Sequence, residues 1–174
     1  MDHAELGRAL VAAAYLEGDF VLSSGQHSRY YLDKYLFSTE PKLLAAIAEH
    51  LAPLVPAGTQ RLAGVELGGV PLVTGLSLHT GLPFVVVRRG AKDYGTARRI
   101  EGVMQAGERV TLVEDIWTTA GQAVAAANVL REAGAEVAAI LAVVDREQGG
   151  PEAIRKAGFV PRALFTRSEL GIGA

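Results

Sequence analysis

From residue 61 onward the chain alternates short β-rich apolar runs with segments of helical length, and few architectures accommodate that order. The runs are Leu62–Val65, Phe84–Val87, Val110–Val113 and Val137–Val144, and residues 69–80 and 121–133 are the helical segments between them. Runs that are apolar at nearly every position suit strands covered on both faces, which is the condition of a parallel sheet. The expectation is an α/β fold: a mostly parallel twisted sheet flanked by helices. A helix at 152–157 and a strand at 160–165 would extend it.

The first forty residues read differently. Residues 3–16 have Leu6, Leu10, Val11 and Ala14 on one side of a helix, with Gly18 as its stop. Two short strands follow, at Phe20–Leu22 and Tyr30–Tyr35. A second helix fits Pro41–Leu51, with Leu43, Leu44, Ile47 and Leu51 at helical spacing and Ser38 or Thr39 as its cap. The 174 residues are read as one domain, with an N-terminal element at 1–40 and an α/β core at 60–166.

Composition narrows the function classes. A net charge of −2 argues against a general nucleic-acid binder, and no apolar run approaches the roughly 20 residues that span a bilayer. The N-terminus lacks the basic-then-apolar order of a secretory signal, and cysteine is absent, so a cytoplasmic location is expected.

The stretch Val110–Val124, VTLVEDIWTTAGQAV, poses the chemical question. An apolar strand runs into two carboxylates, Glu114 and Asp115, and unpaired buried charges cost several kcal/mol. The pair is therefore expected at an edge where something solvates or binds it. Open α/β sheets bind ligands beyond the carboxyl ends of their strands, and the helix starting after Thr118–Gln122 offers free N–H groups to a phosphate. Carboxylates beside a phosphate cradle suit a sugar phosphate. On spacing alone, an ordinary strand-to-helix turn with solvated acids fits as well.

Rival motifs are missing. The chain has no G-x-x-x-x-G-K-[ST], no G-x-G-x-x-G and no H-E-x-x-H; Gly75-Leu-Ser77-Leu-His79 lacks the last glycine of a nucleophile elbow, leaving Ser77 and His79 as helix residues. Between strands 84–87 and 110–113 lies a long glycine-broken connection. From Arg88 to Gly102 it carries five cationic residues against two anionic ones. Connections of that length in compact domains are usually functional or disordered.

Read together, these stretches resemble the type I phosphoribosyltransferases. The strand with Glu114-Asp115-Ile116-Trp117-Thr118-Thr119-Ala120-Gly121-Gln122 is similar to their signature for phosphoribosyl diphosphate (PRPP). Phe20–Asp33, with Ser24-Gly25, Ser28 and Tyr30-Tyr31, resembles the N-terminal element of the orotate phosphoribosyltransferases. Gly64–Pro71 resembles their second glycine-rich loop, and Arg88-Arg89-Gly-Ala-Lys92-Asp93-Tyr94-Gly95 with Ile100-Glu101-Gly102 resembles their mobile catalytic loop. Val144–Glu147 resembles the segment supplying an orotate-binding arginine.

The resemblance implies the type I phosphoribosyltransferase fold with a small N-terminal hood and a mobile catalytic loop. It implies transfer of ribose 5-phosphate from PRPP to orotate, in pyrimidine biosynthesis, by a homodimer with shared sites. Lys92, Asp115 and Glu114 would be catalytic. Arg88, Arg89, Lys92, Tyr94 and residues Glu114 to Gln122 would bind PRPP, and Thr118, Arg146 and Tyr31 would bind orotate. Mg²⁺ would be held mainly by PRPP and water, with no direct protein ligand. The chain departs from the family's usual pattern at Tyr94, where histidine is common, at Ala120 and Gln122, and at Ser23 and Gly68, where some relatives carry lysine. Other readings are a type I transferase with another base acceptor and a non-catalytic PRPP-sensing regulator.

Overall fold

Six strands form the main sheet in the order β5-β4-β3-β6-β7-β8. They are β3 (Arg61–Val65), β4 (Phe84–Val87), β5 (Ile100–Glu101), β6 (Arg109–Trp117), β7 (Glu136–Asp145) and β8 (Pro161–Thr166). Every neighbouring pair is parallel except β4 with β5, at the edge. A separate antiparallel pair, β1 (Tyr15–Val21) and β2 (His27–Leu32), belongs to the N-terminal region. The computed structural model describes residues 1–21, 27–90 and 99–173. Lys92 and Tyr94 fall outside them, as do Ser23, Ser24, Gly25 and Asp93.

The helices are α1 (His3–Ala14), α2 (Lys34–Ser38), α3 (Pro41–Leu51), α4 (Gly69–Thr80), α5 (Gly121–Glu132) and α6 (Gly150–Lys156). Alternation along the strands sends side chains to two cores. Leu62, Val113, Leu141 and Val143 join Leu6, Leu10, Phe37, Ile47 and Leu76 of the first four helices. Ala63, Val65, Leu112, Ile140 and Ala142 join Ala123, Ala127, Leu130 and Ile154 of α5 and α6. Burying each of the Leu, Ile, Val and Phe side chains stabilises the fold by about 1.5–3 kcal/mol, so both faces must be covered. Among the described residues no helix is long and apolar enough to cross a membrane.

Several local expectations are corrected. The first helix ends at Ala14, and Gly18 lies inside β1 rather than stopping the helix. The helix starts on a capping box, with the Asp2 side chain accepting from Glu5 N–H and the Glu5 side chain accepting from Asp2 N–H, both at 2.8 Å. The second strand covers 27–32, and Lys34–Ser38, expected partly as strand, is helical. Glu40, not Ser38 or Thr39, caps α3 by accepting from Leu43 N–H at 2.7 Å. Strand β6 does not stop at Val113: pairing with β7 carries it on to Trp117, so both acids lie within a strand.

Candidate active site

The sheet order fixes where a ligand can sit. From β3 the chain goes through α4 to β4 on one side, and from β6 it goes through α5 to β7 on the other. Connections therefore diverge at the β3–β6 pair, and a crevice opens beyond the carboxyl ends of those strands. Glu66 follows β3, Glu114 and Asp115 lie in the C-terminal half of β6, Arg88 and Arg89 follow β4, and Arg146 follows β7. The parallel strands bring these residues to one edge of the sheet.

Three glycines let the backbone close up there. A Cβ on Gly64 would meet Val73 Cγ1 at 2.5 Å, and one on Gly69 would meet the Val113 carbonyl oxygen at 2.6 Å. At Gly68 the intruder is Asp115 itself, whose Oδ2 lies 1.6 Å from where a Cβ would stand. The amino end of α4 thus packs directly against β3 and β6, with the Asp115 carboxylate resting on bare backbone.

Of the two expectations for the acid pair, solvation or binding, the structure shows the second: Glu114 and Asp115 are 4% and 3% exposed and Asp115 is paired. Two devices make this tolerable. Lys34, the first residue of α2, places Nζ 2.8 Å from Asp115 Oδ2, while Oδ1 accepts from Ile116 N–H at 2.6 Å. Burial, reinforced by the Asp115 charge, pushes the Glu114 carboxyl up to about 8, so at neutral pH it keeps its proton. The pair then carries one charge, on Asp115, opposite one ammonium. Apart from that ion pair, Asp115 Oδ2 has no hydrogen-bond donor among the described residues.

Thr118 and Thr119 are exposed beyond the acids, and α5 begins at Gly121 without a side-chain cap. Its first N–H groups are therefore free to bind an anion. Ala120 turns the chain into this helix with φ 58° and ψ 17°, the left-handed conformation that glycine adopts more readily. Ile116 is half-buried, Trp117 is buried, and Gln122 is exposed.

Glu66 organises the cations beyond β4. Its Oε1 accepts from Arg89 N–H at 3.1 Å, its carbonyl accepts from Arg89 Nε at 2.9 Å, and its Oε2 lies 3.6 Å from Arg88 Nε. Arg99 donates to the carbonyls of Arg88 and Arg89 at 3.3 and 3.1 Å. At the far end of the ledge, Arg146 Nη2 donates to the Tyr30 hydroxyl at 2.9 Å, and its guanidinium sits 5.1 Å from the Tyr30 ring centre. Tyr31 instead packs beside Phe20, with ring centres 5.6 Å apart.

A curated orotate phosphoribosyltransferase from Methanocella arvoryzae is 52% identical over 153 residues, covering 88% of this chain and 87% of the relative. One from Halobacterium salinarum is 50% identical over 167 residues, covering 95% of each. The solved Mycobacterium tuberculosis H37Rv orotate phosphoribosyltransferase in complex with PRPP is 30% identical, with a TM-score of 0.85 over 99% of this chain and 100% of that one. The chain belongs to the orotate phosphoribosyltransferase family. No family model matches it.

The fold is accordingly the type I phosphoribosyltransferase fold, and the activity is that of an orotate phosphoribosyltransferase, a pentosyltransferase. Of the residues the resemblance singled out, the structure gathers Glu114, Asp115, Thr118 to Gln122, Arg88, Arg89 and Arg146 along the ledge. The sequence reading missed Lys34, Glu66, Arg99 and the Tyr30–Arg146 contact in this orotate phosphoribosyltransferase. A signal for Lys34 was available: a buried acid pair needs a cation, and Lys34 directly follows the N-terminal stretch ending at Asp33.

Proposed function

We propose that the ledge between β3 and β6 is where this orotate phosphoribosyltransferase joins N1 of orotate to C1 of the PRPP ribose, releasing diphosphate. The observation that carries this placement is the buried Glu114–Asp115 pair at the strand divergence, beside the uncapped amino end of α5. As the C1–diphosphate bond breaks, the ribose becomes cationic, and Asp115 is the anion fixed in place to meet that charge. Protonated Glu114 can donate a hydrogen bond to a ribose oxygen while Asp115 accepts from a hydroxyl. The N–H groups between Thr118 and Gln122 suit the 5′-phosphate, and Arg88 and Arg89 suit the diphosphate. Arg146, pre-set against Tyr30, suits the planar carboxylate of orotate. We leave Tyr31 as a base-stacking residue only through movement of the β1–β2 pair, because in this conformation it leans on Phe20.

Mg²⁺ fits these residues. The ion usually keeps several waters and binds through substrate phosphates, so it would be held mainly by PRPP and water, with no direct protein ligand, beside the arginines of the ledge. When bound it would neutralise diphosphate charge. The reading also includes a cytoplasmic location, which a cysteine-free chain suits, and a homodimer in which Lys92 and Tyr94 of one subunit serve the other's site. The direct experiment follows orotate absorbance on adding PRPP and Mg²⁺. Loss of orotate with stoichiometric diphosphate release is expected, and a chain that leaves orotate untouched while consuming another base would overturn the acceptor.

A further inference from the structure

The helix α2 contains one charged residue, and that residue spans the gap between the N-terminal region and the ledge. Asp33 caps α2 by accepting from Tyr35 N–H at 3.0 Å, which fixes the direction in which Lys34 leaves the helix. The lysine stem crosses Gly68, where a Cβ would lie 3.3 Å from Lys34 Cε, and its ammonium ends 2.8 Å from Asp115 Oδ2. Three elements therefore meet at one contact: α2, the turn after β3, and the end of β6.

Such a contact has a specific electrostatic consequence. Two adjacent carboxylates removed from water cannot both stay charged without a cation, and Glu114 has already kept its proton. The charged and titratable groups around Lys34 are Asp115 and Glu114 on β6 and Tyr35 on α2, with Arg89 beyond β4 acting on Glu114. Burial alone would push the Lys34 ammonium down, but the Asp115 carboxylate more than reverses this and holds it above the ordinary lysine value. An ionised carboxylate accepts about four hydrogen bonds. Ile116 N–H and Lys34 take one each, which leaves room for ribose hydroxyls.

We propose that Lys34 is a positioning residue of the transferase site, holding the Asp115 carboxylate in place across Gly68 so that the ribose meets a fixed anion as its own charge develops. This rests on the placement of PRPP given above. Lys34 acts through Asp115, so its removal should alter turnover more than orotate binding.

The test compares wild type, Lys34→Met and Lys34→Arg, with kcat and both KM values measured at neutral pH and folding followed by circular dichroism. Lys34→Met should lose about 10- to 100-fold in kcat, because Asp115 is then less well aimed. Orotate KM should stay nearly unchanged, so that the loss falls on kcat. Lys34→Arg, which keeps a cation opposite Asp115, should restore much of the turnover. A folded Lys34→Met with wild-type kcat overturns the inference. So do folded Met and Arg variants equally impaired in kcat, the pattern of a merely structural contact. Should Lys34→Met not fold, a folded Lys34→Arg with kcat lowered about 10-fold or more is the overturning result. If wild type itself leaves orotate and PRPP unreacted, it is the functional reading that fails, and the two failures are thereby distinguished.

Discussion

Replacing Glu114 with glutamine should change how stability depends on pH, in a direction fixed by the burial of the side chain. In the folded chain the carboxyl stays protonated up to about 8, against its ordinary 4.5 when the chain unfolds. Between those values the unfolded state binds fewer protons than the folded one, so unfolding becomes easier as pH rises. The stability contributed by the raised value is fully present below the unfolded value and is lost as pH climbs through the folded one. A single isolated group would give a slope of about 1.4 kcal/mol per pH unit. Sharing the site with Asp115 spreads the titration, so roughly half to all of that slope applies, or about 1.5–3 kcal/mol between pH 5.5 and 7.5. Glutamine has the shape of the protonated acid and cannot ionise. Urea unfolding at pH 5.5, 6.5 and 7.5 should show Glu114→Gln gaining on wild type by that amount across the series. Asp145, also pushed up by burial, is common to both chains and cancels in the comparison. Parallel stability curves for the two proteins would refute the protonated, buried Glu114.

Arg146→Ala should weaken orotate binding by about 1.5–3 kcal/mol, the worth of a charge-assisted hydrogen bond, with PRPP affinity nearly unchanged; calorimetric titration with each ligand checks it, and an equal loss for both ligands refutes the assignment. Ala120→Gly should shift stability by less than about 1 kcal/mol, because relief of the left-handed alanine offsets the lost methyl burial and the added chain entropy. Ala120→Val, β-branched at the same φ, should destabilise by about 2 kcal/mol or more in thermal unfolding, and a neutral valine would show that the turn is not constrained. Asp115→Asn should cut turnover by about 10²–10³ without unfolding the chain. Mixed with Lys92→Ala under subunit exchange, it should recover about a quarter of wild-type activity if sites are shared, since half the dimers are mixed and each has one intact site. An inert mixture with exchange verified would remove the shared site.

Elements whose own periodicity decides them were legible in the sequence. Helix 69–80 and strand 84–87 match the structure residue for residue, and strand 137–144 is one residue short at each end. Elements set by partners elsewhere in the chain were not. Glu114 and Asp115 look like the end of a strand because nothing nearby in sequence announces that β7 pairs beyond them, through Ile116 with Val144 and Trp117 with Asp145. The helix at Lys34–Ser38 is too short for a periodic signal, and its cap, Asp33, lay inside the stretch read as strand. Ala120 hides a left-handed turn, since alanine advertises helix and only the direct run from β6 into α5 forces the other conformation. At the site, the acids and the phosphate turn could be read from one contiguous stretch. The Lys34–Asp115 and Arg146–Tyr30 contacts join residues far apart in the chain, and no local pattern encodes them.

The first helix packs against the last strand, and this sets a clock on synthesis. Leu6, Leu10 and Ala14 share one core with Leu164, Phe165 and Ile172, and the His3 ring stacks on Phe165 with centres 4.3 Å apart. At a ribosomal rate of about 5–20 residues per second, roughly 8–30 s separate the making of α1 from the arrival of β8. Through that interval α1 can meet α2 and α3, on which it also packs, but not the Leu164 and Phe165 surface that completes its core, and closing so long a chain segment is slow by topology alone. Completion of that core must therefore wait for β8, with the side of α1 that faces Phe165 open until then to chaperones or to neighbouring nascent chains.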